Sequence, residues 1–189
     1  MTDRHEFDLF AVRGLLAELG RRPAAEGVLG ELRLVGGAAV MFSGSRRRTT
    51  ADIDASYAPK SEVDRVAAKM AEDMSLPHEW LNDNAKAFIP DGARWVEVEL
   101  GEGLDASIAS DVTLLAMKVA AERDRDIPDI GYLAKKLGLD QPEDVVDVAF
   151  AQYCELSIPL SGDRENYITV AQEALAAIED KGDGGYPGH

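Results

Sequence analysis

The chain has 189 residues, of which 46% are hydrophobic and 29% are charged, a composition typical of one compact globular domain or of one domain with a helical extension. Its 20 Lys and Arg residues against 35 Asp and Glu residues give a net charge of −15, which argues against broad, sequence-independent binding to nucleic acid or to a membrane surface. One cysteine, Cys154, and three scattered histidines exclude an intramolecular disulfide and a Cys/His zinc site.

In chain order, the N-terminal half is predicted to alternate between helices and strands. Apolar residues at helical spacing predict a helix over 8–19, and Gly20 is a predicted stop signal. The following patterns predict strands at 32–35, 51–57, 95–100 and 104–109, and helices at 38–42, 61–74 and 80–87. From residue 111 onward the pattern predicts helices only, at 111–124, 127–137, 142–154 and 164–179.

This order of elements predicts an α+β fold, with a small mixed β-sheet and flanking helices followed by an all-helical C-terminal half. We expect an α/β core over residues 1–109, a helical region packed on it over 110–179, and a flexible tail over 180–189. A polar N-terminus, and the lack of an apolar run long enough to span a membrane, predict a cytoplasmic protein.

The clearest local motif is an acidic pair near the middle of the N-terminal half, in the run Arg48-Thr49-Thr50-Ala51-Asp52-Ile53-Asp54. Side chains alternate along a strand, so Asp52 and Asp54 share one face, and Arg48 and Thr50 can share it with them. Two neighbouring carboxylates repel each other, and a divalent cation such as Mg²⁺ between them removes this repulsion. A D-x-D pair on an exposed strand is also a common structural feature, so the motif alone does not decide.

Two glycines, Gly36 and Gly37, precede this motif at a predicted strand-to-helix junction. Glycines at such a junction let backbone N–H groups approach a phosphate closely, although a Gly-Gly pair alone is usually a turn. Arg48 supplies counter-charge for carboxylates or nucleotide phosphates.

A second motif lies in the helical half. Lys118 falls on the apolar face of its predicted helix, where an unpaired ammonium group is costly to bury, so it either reaches outward or meets a partner. Arg123, Asp126 and Asp129 follow it. The structural interpretation of these acids is that Asp126 is the N-cap of the next helix and Asp129 a capping-box acid.

Together, the glycine pair, the R-x-T-x-D-I-D motif and L-L-A-M-K with K-x4-R-x2-D-x2-D resemble the minimal nucleotidyltransferases of the DNA polymerase β-like superfamily. The chain is most similar to AbiEii-type toxins and to a related bacterial family of uncharacterised nucleotidyltransferases. That family also has a segment similar to residues 76–83, followed by a lysine at the position of Lys86. The resemblance covers residues 30–140 and implies a mixed sheet in which the D-x-D strand lies beside the strand that leads to the glycine pair.

For the N-terminal half, the resemblance implies that Gly36 and Gly37 cradle nucleotide phosphates and that Asp52 and Asp54 hold Mg²⁺. We also assign Arg48 and Thr50 to the nucleotide site. The Ser or Thr that usually follows the glycine pair is replaced by Ala38-Ala39, so phosphate binding is expected to depend more on backbone groups.

For the later motifs, the resemblance implies that Lys118 contacts phosphate and that Asp126 or Asp129 contributes a further catalytic or nucleotide-contacting carboxylate. Many superfamily members carry a third metal-binding acid on a later strand. Asp105 is the candidate for this position, and Glu97 and Glu99 are the alternatives.

The expected function is Mg²⁺-dependent transfer of a nucleotide group from an NTP, for example ATP, to an acceptor hydroxyl. The resemblance implies a toxin–antitoxin or phage-defence system, with tRNA or a protein as acceptor, a cognate antitoxin as partner, and no DNA or membrane partner. For an RNA acceptor, Arg46, Arg47 and Arg48 are the expected contacts, with an ordinary solvated loop as the alternative for Arg46 and Arg47. Two alternatives stay open: a non-catalytic member that binds a partner as an antitoxin does, and an enzyme acting on a small metabolite or antibiotic, which the acidic charge favours over a tRNA enzyme.

Overall fold

The computed structural model describes residues 5–24, 30–45, 49–153, 160 and 162–182. The chain forms two compact units, one that includes residues up to 87 together with 95–109 and one that includes 88–94 together with the chain from 110 onward. The first unit contains a mixed five-stranded sheet with helices, and the second unit contains helices. This arrangement confirms the predicted α+β class. The predicted division into domains stays a prediction, and Arg46, Arg47, Arg48, Cys154 and residues 183–189 of the predicted tail lie outside the described residues.

In chain order, the elements from the first unit's N-terminal helix to its last strand are α1 (Leu9–Ala24), β1 (Gly30–Leu34), α2 (Gly36–Phe42), β2 (Ile53–Ala58), α3 (Lys60–Met74), β3 (Leu81–Asn82), a 3-10 helix (Asn84–Phe88), β4 (Trp95–Glu97) and β5 (Leu104–Ala109). The strands of the sheet have the order β3-β2-β1-β5-β4. β2 runs antiparallel to β1 and parallel to β3, whereas β5 runs parallel to β1 and antiparallel to β4. The D-x-D segment therefore leads into the strand beside the one that ends at the glycine pair, as the resemblance implies.

The two faces of this sheet differ in polarity. Leu32 and Leu34 of β1 and Ile53 and Ala55 of β2 are fully buried, while the residues between them are partly or fully exposed. Helices α1 and α3 pack against each other and against β5 and β2, respectively. Because side chains alternate along a strand, this burial directs Asp54 to the polar face of the sheet.

The predicted end of α1 is wrong, because the helix continues through Gly20 to Ala24. A Cβ atom at Gly20 would lie 2.8 Å from the Glu102 carbonyl oxygen and 2.9 Å from the Leu104 Cβ. Gly20 therefore serves a close approach between α1 and the start of β5 rather than a helix stop.

The short helix predicted over 80–87 is also wrong, because this segment forms β3 and most of the 3-10 helix. The Trp80 side chain is fully buried, and its Nε1–H donates to the Ala67 carbonyl at 3.1 Å. The Trp80 carbonyl accepts the backbone N–H of Ile53 at 2.7 Å. These tertiary contacts outweigh the local helical pattern.

The second unit contains α4 (Asp111–Ala121), a 3-10 helix (Asp124–Asp126), α5 (Ile127–Lys136), α6 (Pro142–Gln152) and α7 (Arg164–Gly182). The four helices predicted here are confirmed, with ends that shift by up to three residues. Helices α5 and α7 approach closely at Gly131, where a Cβ atom would overlap the Ala174 carbonyl oxygen. Within the described parts of the chain, every helix is too short or too polar to cross a lipid bilayer.

Candidate functional site

Asp52 and Asp54 lie where the chain enters β2. Asp52 immediately precedes the strand, Asp54 is its second residue, and both are half-buried. Thr50 secures this approach, because its backbone bridges to Phe7 and its buried hydroxyl donates to the Asp52 carbonyl at 3.0 Å. The Thr50 hydroxyl, predicted as a nucleotide contact, is thus engaged in holding the backbone of Asp52.

Gly36 lies directly against the Asp54 side chain. The backbone N–H of Val35 donates to the Asp54 carbonyl at 3.0 Å, which places the end of β1 beside the start of β2. Gly36 has φ +65°, and a Cβ atom there would lie 3.1 Å from the Asp54 Cβ and closer still to Oδ2. Glycine is therefore required at this position both for the backbone conformation and for the space that the Asp54 carboxylate occupies. Gly37 is buried in the first turn of α2.

A third polar side chain, Asn82, comes from β3. Asn82 pairs with Asp54 in parallel register, so the two side chains face the same side of the sheet. Its Nδ2 donates to Asp52 Oδ2 at 3.4 Å, and its Oδ1 accepts the backbone N–H of Asn84 at 3.1 Å. Sequence reasoning assigns Asn82 no role, because no local pattern shows that residues 81–82 form a strand beside β2. We call Asp52, Asp54 and Asn82 the carboxylate–amide cluster.

The structure does not bring Asp105, the predicted third acid, to this cluster. Asp105 is exposed and pairs with Glu31 of β1, which in turn pairs with Ala58 of β2. Ala58 is four residues beyond Asp54. At about 3.3 Å per residue, Asp105 is about 13 Å from Asp54 along the strand direction alone.

The alternative acids are also distant from β2. Glu97 ends β4 and Glu99 follows it, and β4 lies three strands away from β2 at the opposite edge of the sheet. In agreement, the described residues include no group of three or more His, Cys, Asp or Glu side chains that could hold a metal ion. The first unit thus offers two neighbouring carboxylates, Asp52 and Asp54, with an amide beside them.

The segment that carries Asn82 is tied to the start of α3 by charged groups. The Lys60 Nζ lies 2.9 Å from an Asp83 oxygen and 3.3 Å from an Asp64 oxygen, and the bond to Asp83 raises the pKa of Lys60. The Tyr57 hydroxyl donates to Asp64 at 2.8 Å. Burial, and then the bond to Asp64, raise the pKa of Tyr57 to about 12.

The second unit holds a different charged cluster, which we call the Lys118 cluster. Lys118 on α4 is only 8% exposed, and Asp126 and Asp129 at the start of α5 are each 3% exposed. The Lys118 ammonium pairs with Asp126 Oδ1 and, at 3.0 Å, with Asp129 Oδ2. Of the two alternatives that the sequence leaves open for Lys118, reaching outward or meeting a partner, the structure shows the second. Asp126 stands at the N-cap position of α5 but makes no side-chain cap bond, so its interpretation as a capping residue is wrong.

The strand that ends at the glycine pair lies beside the Asp-x-Asp strand in a mixed sheet, which is the arrangement that the resemblance to nucleotidyltransferases implies. A protein-family model described as "Nucleotidyltransferase of unknown function (DUF6036)" matches residues 27–152, about two thirds of the chain. The chain belongs to this family. No curated protein and no solved structure matches it. The match includes the segments of both clusters, while the closer resemblance to AbiEii-type toxins stays a prediction.

Proposed function

We propose that the protein transfers a nucleoside monophosphate group from an NTP to an acceptor hydroxyl, with Mg²⁺ held at Asp52 and Asp54. The observation that carries the proposal is the pair of half-buried carboxylates where the chain enters β2, with Gly36 giving Asp54 the space it occupies. This pair lies in a chain that belongs to a nucleotidyltransferase family.

The donor set suits Mg²⁺. Mg²⁺ prefers oxygen ligands and is commonly bound through one or two carboxylates, with substrate phosphates completing its shell. The space at Gly36 is filled by the Asp54 carboxylate, which a Cβ atom would displace. Among the described residues, two neighbouring acids without a third beside them fit a site that the NTP completes. When bound, Mg²⁺ would neutralise phosphate charge and favour ionisation of the acceptor hydroxyl.

The chain's own contribution is to position these groups. In the reaction, the acceptor oxygen bonds to the α-phosphorus, the bond to the bridging oxygen breaks, pyrophosphate leaves, and the hydroxyl proton is lost to water. Catalysis of such a transfer depends mainly on positioning and on charge neutralisation. Thr50 holds the backbone of Asp52, and Asn82 donates a hydrogen bond to the Asp52 carboxylate. Gly36 lies directly against the Asp54 carboxylate.

The roles proposed for the Lys118 cluster follow from the resemblance. A lysine ammonium group has three N–H donors, and Asp126 and Asp129 engage two of them. At most one donor therefore remains for a phosphate, and the two acids fix the direction in which it points. Phosphate binding by Lys118, and a catalytic role for Asp126 or Asp129, are part of the proposal.

The charge of the sheet favours a small-molecule or protein hydroxyl over tRNA as acceptor. The polar face carries the exposed acids Glu31, Asp105 and Glu97, and its Arg33 pairs with Glu31 at 2.7 Å. A protein that holds tRNA needs cations along the phosphate path. Arg46, Arg47 and Arg48, the cations predicted for that role, lie outside the described residues. A toxin–antitoxin setting with a cognate antitoxin, and ATP as the NTP, also belong to this proposal.

The test is to incubate the purified protein with each α-labelled NTP and Mg²⁺, with total tRNA, a protein extract or a panel of small hydroxyl compounds as acceptor. We expect Mg²⁺-dependent labelling of a protein or small molecule, and none with the Asp52→Asn variant. Labelling of tRNA that weakens steeply with salt would assign RNA as the acceptor. In that case, replacing Arg46 and Arg47 with Ala should flatten the salt dependence by about one unit per lost phosphate contact. A wild-type protein that binds no NTP with Mg²⁺ contradicts the proposal.

A further inference from the structure

We infer that Asn82 is a positioning residue of the carboxylate–amide cluster: its amide group orients the Asp52 carboxylate on the face where the cation is proposed to bind. The inference rests on the proposed function. It adds a residue that the motif of glycines and aspartates does not contain, and it gives a role to the segment at 76–83.

Two hydrogen bonds define which way the Asn82 amide points. Its Oδ1 accepts the N–H of Asn84, and a backbone N–H can only donate. Its Nδ2 faces Asp52 Oδ2, and an ionised carboxylate can only accept. The opposite orientation would place two oxygens together at Asp52 and two donors together at Asn84. Asn82 therefore presents an N–H to Asp52.

The position of this amide is set by the strand that carries it. Asn82 is 9% exposed, and its neighbour Leu81 pairs with Ile53, the residue between the two aspartates. The Ile53 N–H donates to the carbonyl of Trp80, whose side chain is fully buried and bonded to Ala67. The core thus holds β3 in place, and through β3 it holds the donor for Asp52.

An amide at this position has a consequence that an acid would not have. Asn82 bonds one oxygen of Asp52, Oδ2, and so restricts the rotation of the carboxylate. It does so without adding a third negative charge beside two carboxylates. Outer partners that orient metal ligands in this way typically contribute about 10–100-fold to metal affinity or activity.

The decisive variant is Asn82→Asp, which keeps an oxygen to accept the Asn84 N–H but replaces the donor to Asp52 with a negative charge. Asn82→Ala removes both bonds. Asn84→Ala is the matched control, because the side chain of Asn84 is exposed and its backbone N–H is retained. For each full-length protein, the rate of nucleotide transfer and the binding of Mn²⁺, followed by its electron paramagnetic resonance signal, are measured as functions of metal concentration.

We expect Asn82→Asp and Asn82→Ala to raise the metal concentration for half-maximal rate and binding by about 10–100-fold, with Asn84→Ala equal to wild type. If Asn82→Ala fails to fold, Asn82→Asp, which keeps the bond to Asn84, carries the test. Wild-type behaviour of Asn82→Asp overturns the inference and assigns Asn82 to the turn alone. Tighter metal binding by Asn82→Asp also overturns it, because position 82 would then be a ligand position. A wild-type protein without metal binding or transfer overturns the proposed function, and the inference with it, before any variant is compared.

Discussion

The carboxylate–amide cluster and the Lys118 cluster use similar side chains in opposite ways. In the first unit, two half-buried carboxylates of like charge lie beside an amide at the start of a strand. In the second unit, two buried carboxylates enclose the ammonium group that neutralises one of them. The first arrangement places two carboxylates on a half-buried face, whereas the second buries two carboxylates around one ammonium group. We therefore expect changes in the first cluster to affect ligand binding with little loss of stability, and changes in the second to lower the stability of the fold in addition to any effect on ligand binding.

The largest expected effect on stability is that of Lys118→Met. This change leaves Asp126 and Asp129 buried at 3% exposure without their cation, and breaking a buried pair in this way costs about 3–5 kcal/mol. Urea unfolding would measure the loss. In the control, Lys136→Met breaks a half-exposed pair with Asp111 at 2.8 Å and should cost less than about 1 kcal/mol. If Lys118→Met and Lys136→Met lose equal stability, the buried Lys118 cluster contributes no more to folding than a half-exposed ion pair.

Asp52→Asn tests the other side of the comparison. We expect it to lower kcat/KM for nucleotide transfer at least about 100-fold, which corresponds to about 3 kcal/mol of transition-state stabilisation. Its unfolding free energy should stay the same or rise slightly, because the repulsion between Asp52 and Asp54 is removed. Activity and thermal unfolding are measured on the same preparation. A large loss of stability would instead make the pair a structural feature.

Gly36→Ala should combine both kinds of effect at a smaller size. The new Cβ would overlap the Asp54 carboxylate, and φ +65° is unfavourable for alanine, so we expect a stability loss of about 1–3 kcal/mol. Mg²⁺-dependent NTP binding, measured by calorimetry, should weaken as Asp54 moves. Gly14→Ala in α1 is the control, because nothing lies within 4 Å of its Cβ position. It should stabilise the protein by about 0.5–1 kcal/mol and leave NTP binding unchanged.

The sequence predicts those features that depend on local periodicity. The spacing of apolar residues predicts the helices of the second unit and the alternation that directs Asp54 away from the core. It also places Lys118 on the apolar face of α4, but leaves open whether the ammonium group has a partner. The proximity of Gly36 to Asp54 follows from the resemblance, which implies that β1 and β2 are neighbours. Residue type and spacing are sufficient for the first set of features, whereas the proximity of Gly36 to Asp54 also needs the resemblance.

What could not be predicted depends on strand register. Asp105 has a suitable residue type for a third acid, but its partner in β1 is Glu31, four residues from the row of Asp54. Asn82 lies in a segment with a helical pattern, and only its pairing with β2 places it beside the aspartates. The register of β3 against β2 is set by tertiary packing, here by the burial of Trp80. No local sequence pattern predicts that register.

The brevity of β3 has a consequence for the motions of the site. β3 has two residues and lies at the edge of the sheet, so few hydrogen bonds must break for it to open locally, whereas β1 is flanked by β2 and β5. The backbone N–H of Ile53, which lies between the two aspartates, donates a hydrogen bond to the Trp80 carbonyl, and this bond protects it from exchange with solvent. It should therefore exchange with deuterated solvent faster than the amides of β1. A bound nucleotide that draws Asp52 and Asp54 together would slow this exchange, so that a single backbone amide reports whether the site is occupied.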